Sequence, residues 1–289
     1  MIFCVLHKKC YGLLTQLPEW IENFSRIKVL YLDHNKLTSL PDSIGNLSKL
    51  NVLDLYSNKL SSLPNSIGNL SKLKIINLGY NHLKTLPDTF CNFTFLEEFT
   101  LEEFSNDPEL GKIFGDRQGS WFTHLPKFFG NLSSLKIFSV SDTRLTELPE
   151  SFGNLKSLRE LTIEGSITKN FHFPKSMKNL NALRYVNLRR GAFDKVPDFI
   201  GELKELTELD ISYNKLYILP EFLGNLKKLK TLNLEHIDIN KLPKWVGNLK
   251  DLVDLDISNN NIRENPKIKK ELSKLKKYND SLNFYNLEG

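Results

Sequence analysis

The chain has 289 residues, 40% hydrophobic and 25% charged, with a formal net charge of +5, a balance that fits one or two ordinary folded domains. It contains no apolar run near the roughly 20 residues that cross a bilayer. Its three cysteines are too few for a disulfide framework, and its positive charge is too small for a nucleic-acid-binding signature.

The chain opens MIFCVLHKKC. The short apolar stretch precedes His7, Lys8 and Lys9, the reverse of the order in a signal peptide, so a non-secreted, cytoplasmic protein with reduced thiols is expected. Ile2, Val5 and Leu6 fit one face of a short capping helix ending at Gly12, or else the remnant of a strand. Lys9 would fall at an inward position of that strand, which disfavours the second version. Cys4, His7 and Cys10 are spaced C-x-x-H-x-x-C, but a structural zinc takes four ligands and no second pair accompanies them, so no metal or other cofactor is expected. Leu14, Leu17 and Pro18 fall in the register of the repeats that follow, which makes 1–26 an N-terminal cap with a degenerate repeat.

From Ile27 onward the sequence repeats. The pattern L-x-x-L-x-L-x-x-N begins at Ile27 (IKVLYLDHN), at Leu50 (LNVLDLYSN) and at Leu73 (LKIINLGYN), at intervals of 23 residues. It returns at Leu96, Leu135, Leu158, Leu183, Leu206, Leu229 and Leu252. Each unit continues L-x-x-L-P-x-x-I-G-N-L, as in LTSLPDSIGNL from Leu37 and LYILPEFLGNL from Leu216. The alternation L-x-L is a short strand with leucines facing inward. One unit cannot bury its own leucines, whereas stacked units bury them in a continuous ladder and pair their strands in a parallel sheet. The Asn at the ninth position ends the strand by bonding main-chain groups where the chain turns. Pro fixes φ in that turn, and Ile or Phe beside Gly packs an outer arc expected to be 3-10 or a short helix.

These residues resemble the leucine-rich-repeat proteins, and the L-P-x-x-I-G-N-L unit resembles their Ras-group, Scribble-like class. The resemblance covers roughly residues 14–263. It implies an α/β fold, a right-handed leucine-rich-repeat horseshoe with a concave parallel sheet and an irregular or 3-10 convex side. It also implies a non-catalytic scaffold or adaptor that grips a protein partner on the concave face. Family analogy points to a small GTPase or signalling enzyme as that partner. Ten units fill 27–264, with an insertion at about 105–121 that emerges as a surface loop and is a candidate for partner contact. The ninth position departs from Asn at Phe104, Thr143, Ser166, Gly191 and Ile237, where the turn must be satisfied in another way.

Partner chemistry is sought at outward-facing positions of the strands. The early units place Tyr31, His34, Tyr56 and Tyr80 there, and tyrosine is enriched in binding surfaces. Glu97, Glu102 and Glu103, with Glu98, form an acidic patch extended by Glu160 and Glu164. Arg184, Arg189 and Arg190 form a basic one, followed by Tyr213 and His236. Three strand steps separate the Leu96 and Leu183 units, roughly 14 Å, beyond the Debye length of about 8 Å, so the patches are expected to stay unneutralised and to orient a partner. Beyond Asn265 and Pro266, Ile268, Leu272 and Leu275 recur at helical spacing and predict a capping helix to about Lys277, with a loosely held tail to Gly289. Its lysines read as a solvated face, so neither a membrane span nor nucleic acid is expected. No motif of nucleophilic or metal-dependent catalysis is present. Asn46, Asn69, Asn92 and Asn131 head glycosylation sequons that arise from the repeat. They would matter only in the alternative reading, an exported or surface protein that binds host proteins or glycans.

Overall fold

The computed structural model describes residues 12–103, 122–165 and 171–262, with Ser273 and 283–285. The N-terminal segment 1–11, the expected insertion and most of the expected C-terminal helix lie outside the described residues.

The arc of each unit is dictated by a three-residue period. Pro41, Ile44, Leu47 and Leu50 recur every third position, and Ile44 N–H bonds Pro41 O, Leu47 N–H bonds Ile44 O and Leu50 N–H bonds Leu47 O. These are the i→i+3 bonds of a 3-10 turn. They bring Ile44, Leu47 and Leu50 onto one buried stripe. Among the described residues ten such turns run from Glu19–Phe24 to Lys244–Asn248. Pro enters most of them with an extended backbone, as at Pro41 (φ −71°, ψ 155°). Neighbouring turns pack so closely that a Cβ on Gly68 would lie 2.3 Å from Thr89 O. Cys91 stands in the equivalent glycine position, and the turn it faces is shortened to Phe129–Asn131.

The strands are β1 (Val29–Tyr31), β2 (Val52–Asp54), β3 (Ile75–Asn77), β4 (Glu98–Glu102), β5 (Ile137–Ser141), β6 (Glu160–Glu164), β7 (Tyr185–Asn187), β8 (Glu208–Asp210), β9 (Thr231–Asn233), β10 (Asp254–Asp256) and β11 (Asn283–Tyr285). They pair in sequence order, all parallel, in one sheet. The register is strict, so Tyr31, Asp54, Asn77 and Thr100 stand side by side. β11 corrects the expectation of a loose tail, because residues 283–285 extend the sheet past β10.

Two side-chain ladders end the short strands. Asn58 Oδ1 accepts Leu37 N–H at 3.0 Å, and its Nδ2 donates to Leu32 O and Leu55 O at 2.8 and 3.0 Å. Asn81, Asn214 and Asn260 repeat this arrangement. A second ladder sits at the last strand position. The Oδ1 atoms of Asp54, Asn77, Asn187, Asp210, Asn233 and Asp256 each accept the N–H two residues on. Together they satisfy the main-chain groups released where the chain leaves the sheet.

β4, β5 and β6 carry Thr100, Ser139 and Thr162 at mid-strand and lack Asn at the ninth position. There the strand-to-strand bonding continues, and each of the three strands runs five residues instead of three. At Ile237 the solution is different. Tyr217 N–H bonds Ile237 O, and Tyr217 and Asp238 take positive φ of 50° and 63°.

The interior is one column of buried apolar side chains from Leu14 to Ile257, and each fully buried Leu, Ile or Phe contributes about 1.5–3 kcal/mol. At β4–β6 the column becomes aromatic. Phe90, Phe129 and Phe152 stack at 6.3 and 6.1 Å, and Phe99 and Phe138 meet Phe129 edge-on at 5.6 Å.

Candidate partner-binding face

The residue before the ninth position takes a left-handed backbone in unit after unit. His34, Tyr80, Arg190, Tyr213 and His236 have φ of 54°, 53°, 53°, 54° and 51°. L-residues rarely adopt this conformation, and here the turn geometry and the ladders impose it at the sheet's C-terminal edge. Because the units are in register, the side chains carried there meet their neighbours. His34 and Tyr56 make an edge contact at 5.2 Å, and Tyr56 and Tyr80 lie 4.9 Å apart. Tyr80 OH donates to Glu102 at 3.1 Å. Burial raises the pKa of both tyrosines, and Glu102 raises it further.

A second row lies farther along the same edge. Arg190 reaches Glu164 at 3.1 Å and Arg189 reaches it at 3.7 Å. The Arg189 guanidinium lies over the Tyr213 ring, 4.3 Å from its centre, and Tyr213 stacks on His236 at 5.2 Å. Tyr213 OH donates to Glu235 at 2.7 Å, and that bond raises the phenol pKa. Arg189 is therefore fixed between a carboxylate and an aromatic face, with its rotamers restricted before any partner arrives.

Several expected site residues are placed differently. Glu103 is only 3% exposed, and its carboxylate accepts Phe122 N–H at 3.1 and 3.2 Å. It ties together the two described ends that flank the insertion, and it is a structural residue rather than a surface one. Glu97 and Arg184 precede β4 and β7 and lie at the opposite, N-terminal edge of the sheet. Glu97 bonds Lys74 at 2.9 Å and Lys136 at 2.5 Å, and these two lysines hold its pKa down at about 2. The two charged patches are not isolated either, because Glu164 on β6 pairs directly with the arginines that follow β7. Tyr31 is 41% exposed at the end of β1, in register with Asp54. Glu235 and the Asp and Asn ladder at the strand ends were not among the residues expected from the sequence. The recurrence of Asp54 and Asn77, and of Asn187, Asp210, Asn233 and Asp256, at 23-residue intervals was the available signal.

Among the described residues no three His, Cys, Asp or Glu side chains are grouped to hold a metal, and no helix is long and apolar enough to cross a membrane. A repetitive sheet that displays an ordered row of aromatic and charged side chains defines a protein-interaction solenoid, a fold that generally serves as a non-catalytic scaffold. A family model described as leucine-rich repeat region matches residues 4–114 and 159–280, and the chain belongs to that family. No curated protein matches the sequence. Among solved structures, a leucine-rich-repeat protein of Leptospira interrogans is 28% identical with a TM-score of 0.59, over 94% of this chain and 76% of that one. The functional domain of internalin J from Listeria monocytogenes is 20% identical with a TM-score of 0.60, over 93% of this chain and 55% of that one. An internalin F of the same species is 18% identical with a TM-score of 0.53, over 93% and 83% of the two chains.

Proposed function

We propose that this protein is a cytoplasmic scaffold of the Ras-group, Scribble-like class that grips a signalling protein, such as a small GTPase or signalling enzyme, on its sheet face. The observation that carries this reading is the Arg189–Tyr213–His236 stack, anchored by Glu164 and Glu235. Tyr and Arg dominate binding hot spots, and side chains already ordered lose less entropy on association. The 23-residue L-P-x-x-I-G-N-L unit supports the class assignment.

The test is affinity capture from lysate by wild type and by an Arg189→Ala/Tyr213→Ala variant, followed by titration of the captured partner against both. Loss of at least 2 kcal/mol of affinity is expected for hot-spot residues. A partner held equally well by the folded variant would remove this face from consideration.

The second reading is an exported or surface protein that binds host proteins or glycans. It is favoured by one observation: the sequon residues Asn46, Asn69, Asn92 and Asn131 are all exposed. Glycans on these residues in protein purified from its native source would decide for it.

A further inference from the structure

The N-terminal edge of the sheet has a character that net charge conceals. Each of β1–β10 is preceded by a connector from the 3-10 turn, four residues long before β1 (25–28) and five before each of the others, the last being 249–253. These ten connectors hold 14 Lys and Arg, all exposed, against three carboxylates. That is +11 in the connectors of a chain whose total is +5, and the edge stays positive after the four carboxylates that open neighbouring strands, Glu98, Glu160, Glu208 and Asp254, are included. Parallel register sets adjacent units about 4.8 Å apart, so these charges repel one another within a Debye length of about 8 Å.

Part of the ribbon is structural. Lys156, Lys204 and Lys227 donate to Gly153 O, Gly201 O and Gly224 O and cap their turns. Glu97 and Glu205 engage Lys74, Lys136 and Lys228. Capping leaves the ammonium charge in place, so cations still outnumber carboxylates in the connectors.

We propose that this edge docks the solenoid on a bilayer surface rich in anionic phospholipid. The shape favours a flat partner. The nine connectors before β2–β10 all have the same length. The two intervals longer than 23 residues, from Leu96 to Leu135 and from Leu158 to Leu183, take up their extra residues after β4 and β6 and not in the connectors, so the basic edge is an even ribbon roughly 43 Å long. Its chemistry favours lipid over nucleic acid. Eleven of the 14 cations are lysines, which are point charges rather than the planar forks that clamp phosphodiesters. Phe95, 58% exposed, stands within the ribbon where a membrane would accept an apolar anchor. The partner face described above lies at the other ends of the strands, so both surfaces can be occupied at once.

The test is co-sedimentation of the full chain with phosphatidylserine–phosphatidylcholine vesicles and with pure phosphatidylcholine vesicles, and titration against a short DNA duplex, each in rising salt. Binding to the anionic vesicles alone is expected. Lys49→Gln/Lys72→Gln/Lys230→Gln should weaken it on the order of a hundredfold, and Phe95→Ser roughly tenfold. A matched loss of charge at the other edge, Lys36→Gln/Lys59→Gln/Lys215→Gln, should leave it within a few-fold. Circular dichroism establishes that each variant is folded. Absence of vesicle binding, equal losses in both triple variants, or tighter binding to the duplex than to the vesicles under the same salt would each overturn the proposal.

Discussion

Asn214 offers the sharpest test of how this fold is held. It is 2% exposed, and its amide serves two units at once. Oδ1 accepts Phe193 N–H at 3.0 Å, and Nδ2 donates to Leu188 O and Ile211 O at 2.9 Å each and to Ser212 O at 3.1 Å. Asn214→Ala leaves a buried donor and up to three carbonyls without this partner. Each orphaned buried group costs about 1–3 kcal/mol. One donor and two carbonyls at the low end of that range give about 3 kcal/mol, a large share of a typical stability of about 5–15 kcal/mol. Asn214→Asp retains the acceptor but aims a negative charge at the same carbonyls, so it should be at least as damaging despite its matching shape. Urea unfolding gives the total, and hydrogen exchange at the Phe193 amide gives the local effect. Asn46, exposed and bonded to Glu22, supplies the control: Asn46→Ala should stay within about 0.5 kcal/mol of wild type. If Asn214→Ala were as mild as that, or the Asp variant were tolerated, the ladder would not be holding the turns.

Glu103→Ala should destabilise by about 1–3 kcal/mol by stranding Phe122 N–H. Glu103→Gln, which keeps an acceptor oxygen, should recover part of that loss in the same urea melt. Gly68→Ala should lower the thermal midpoint, because the new Cβ meets Thr89 O at 2.3 Å, and overpacking of this kind costs about 1–3 kcal/mol. A melting curve superimposable on wild type would refute the close stacking of the turns. Glu97 should titrate near 2 by carboxyl NMR, held down by Lys136 and Lys74. Because the folded pKa is depressed, its contribution is complete above the ordinary carboxylate range and is lost as pH falls toward 2. Lys136→Gln should move the midpoint upward, and an unchanged midpoint would dissolve the ion pair.

The period of 23 made the strands, their register and the outer turns legible before any coordinates, because burial of the Leu ladder leaves one solution. The three-residue spacing from Pro41 to Leu50 is the signal that favours a 3-10 arc over an α-helix, a choice the sequence analysis left open. The candidate site was less legible. Alternation marks Glu97, Glu102, Arg184 and Arg189 alike as outward, yet most of the strands are only three residues long. Residues just before and just after a strand therefore belong to opposite edges. Glu103 was misread because the equivalent position is exposed or half-buried in the other described units, whereas here the carboxylate is buried against Phe122 N–H. The basic ribbon escaped notice because its charges are scattered through the sequence and gather only when the units stack.

The five-residue strands and the phenylalanine column at β4–β6 also bear on how the chain reaches this structure. In a linear array, folding begins where a unit and its neighbours are most stable, then spreads outward. The centre has the longest pairings and the densest aromatic packing, so it is expected to nucleate folding, although the insertion lengthens the loop closed between β4 and β5. Loop closure grows only logarithmically, about 0.6 kcal/mol per doubling, a penalty smaller than the burial of one phenylalanine. On this reasoning the two flanks should assemble afterwards as separate arms and be the first lost to heat or denaturant. The amides of β5 should be the last in the molecule to exchange with solvent.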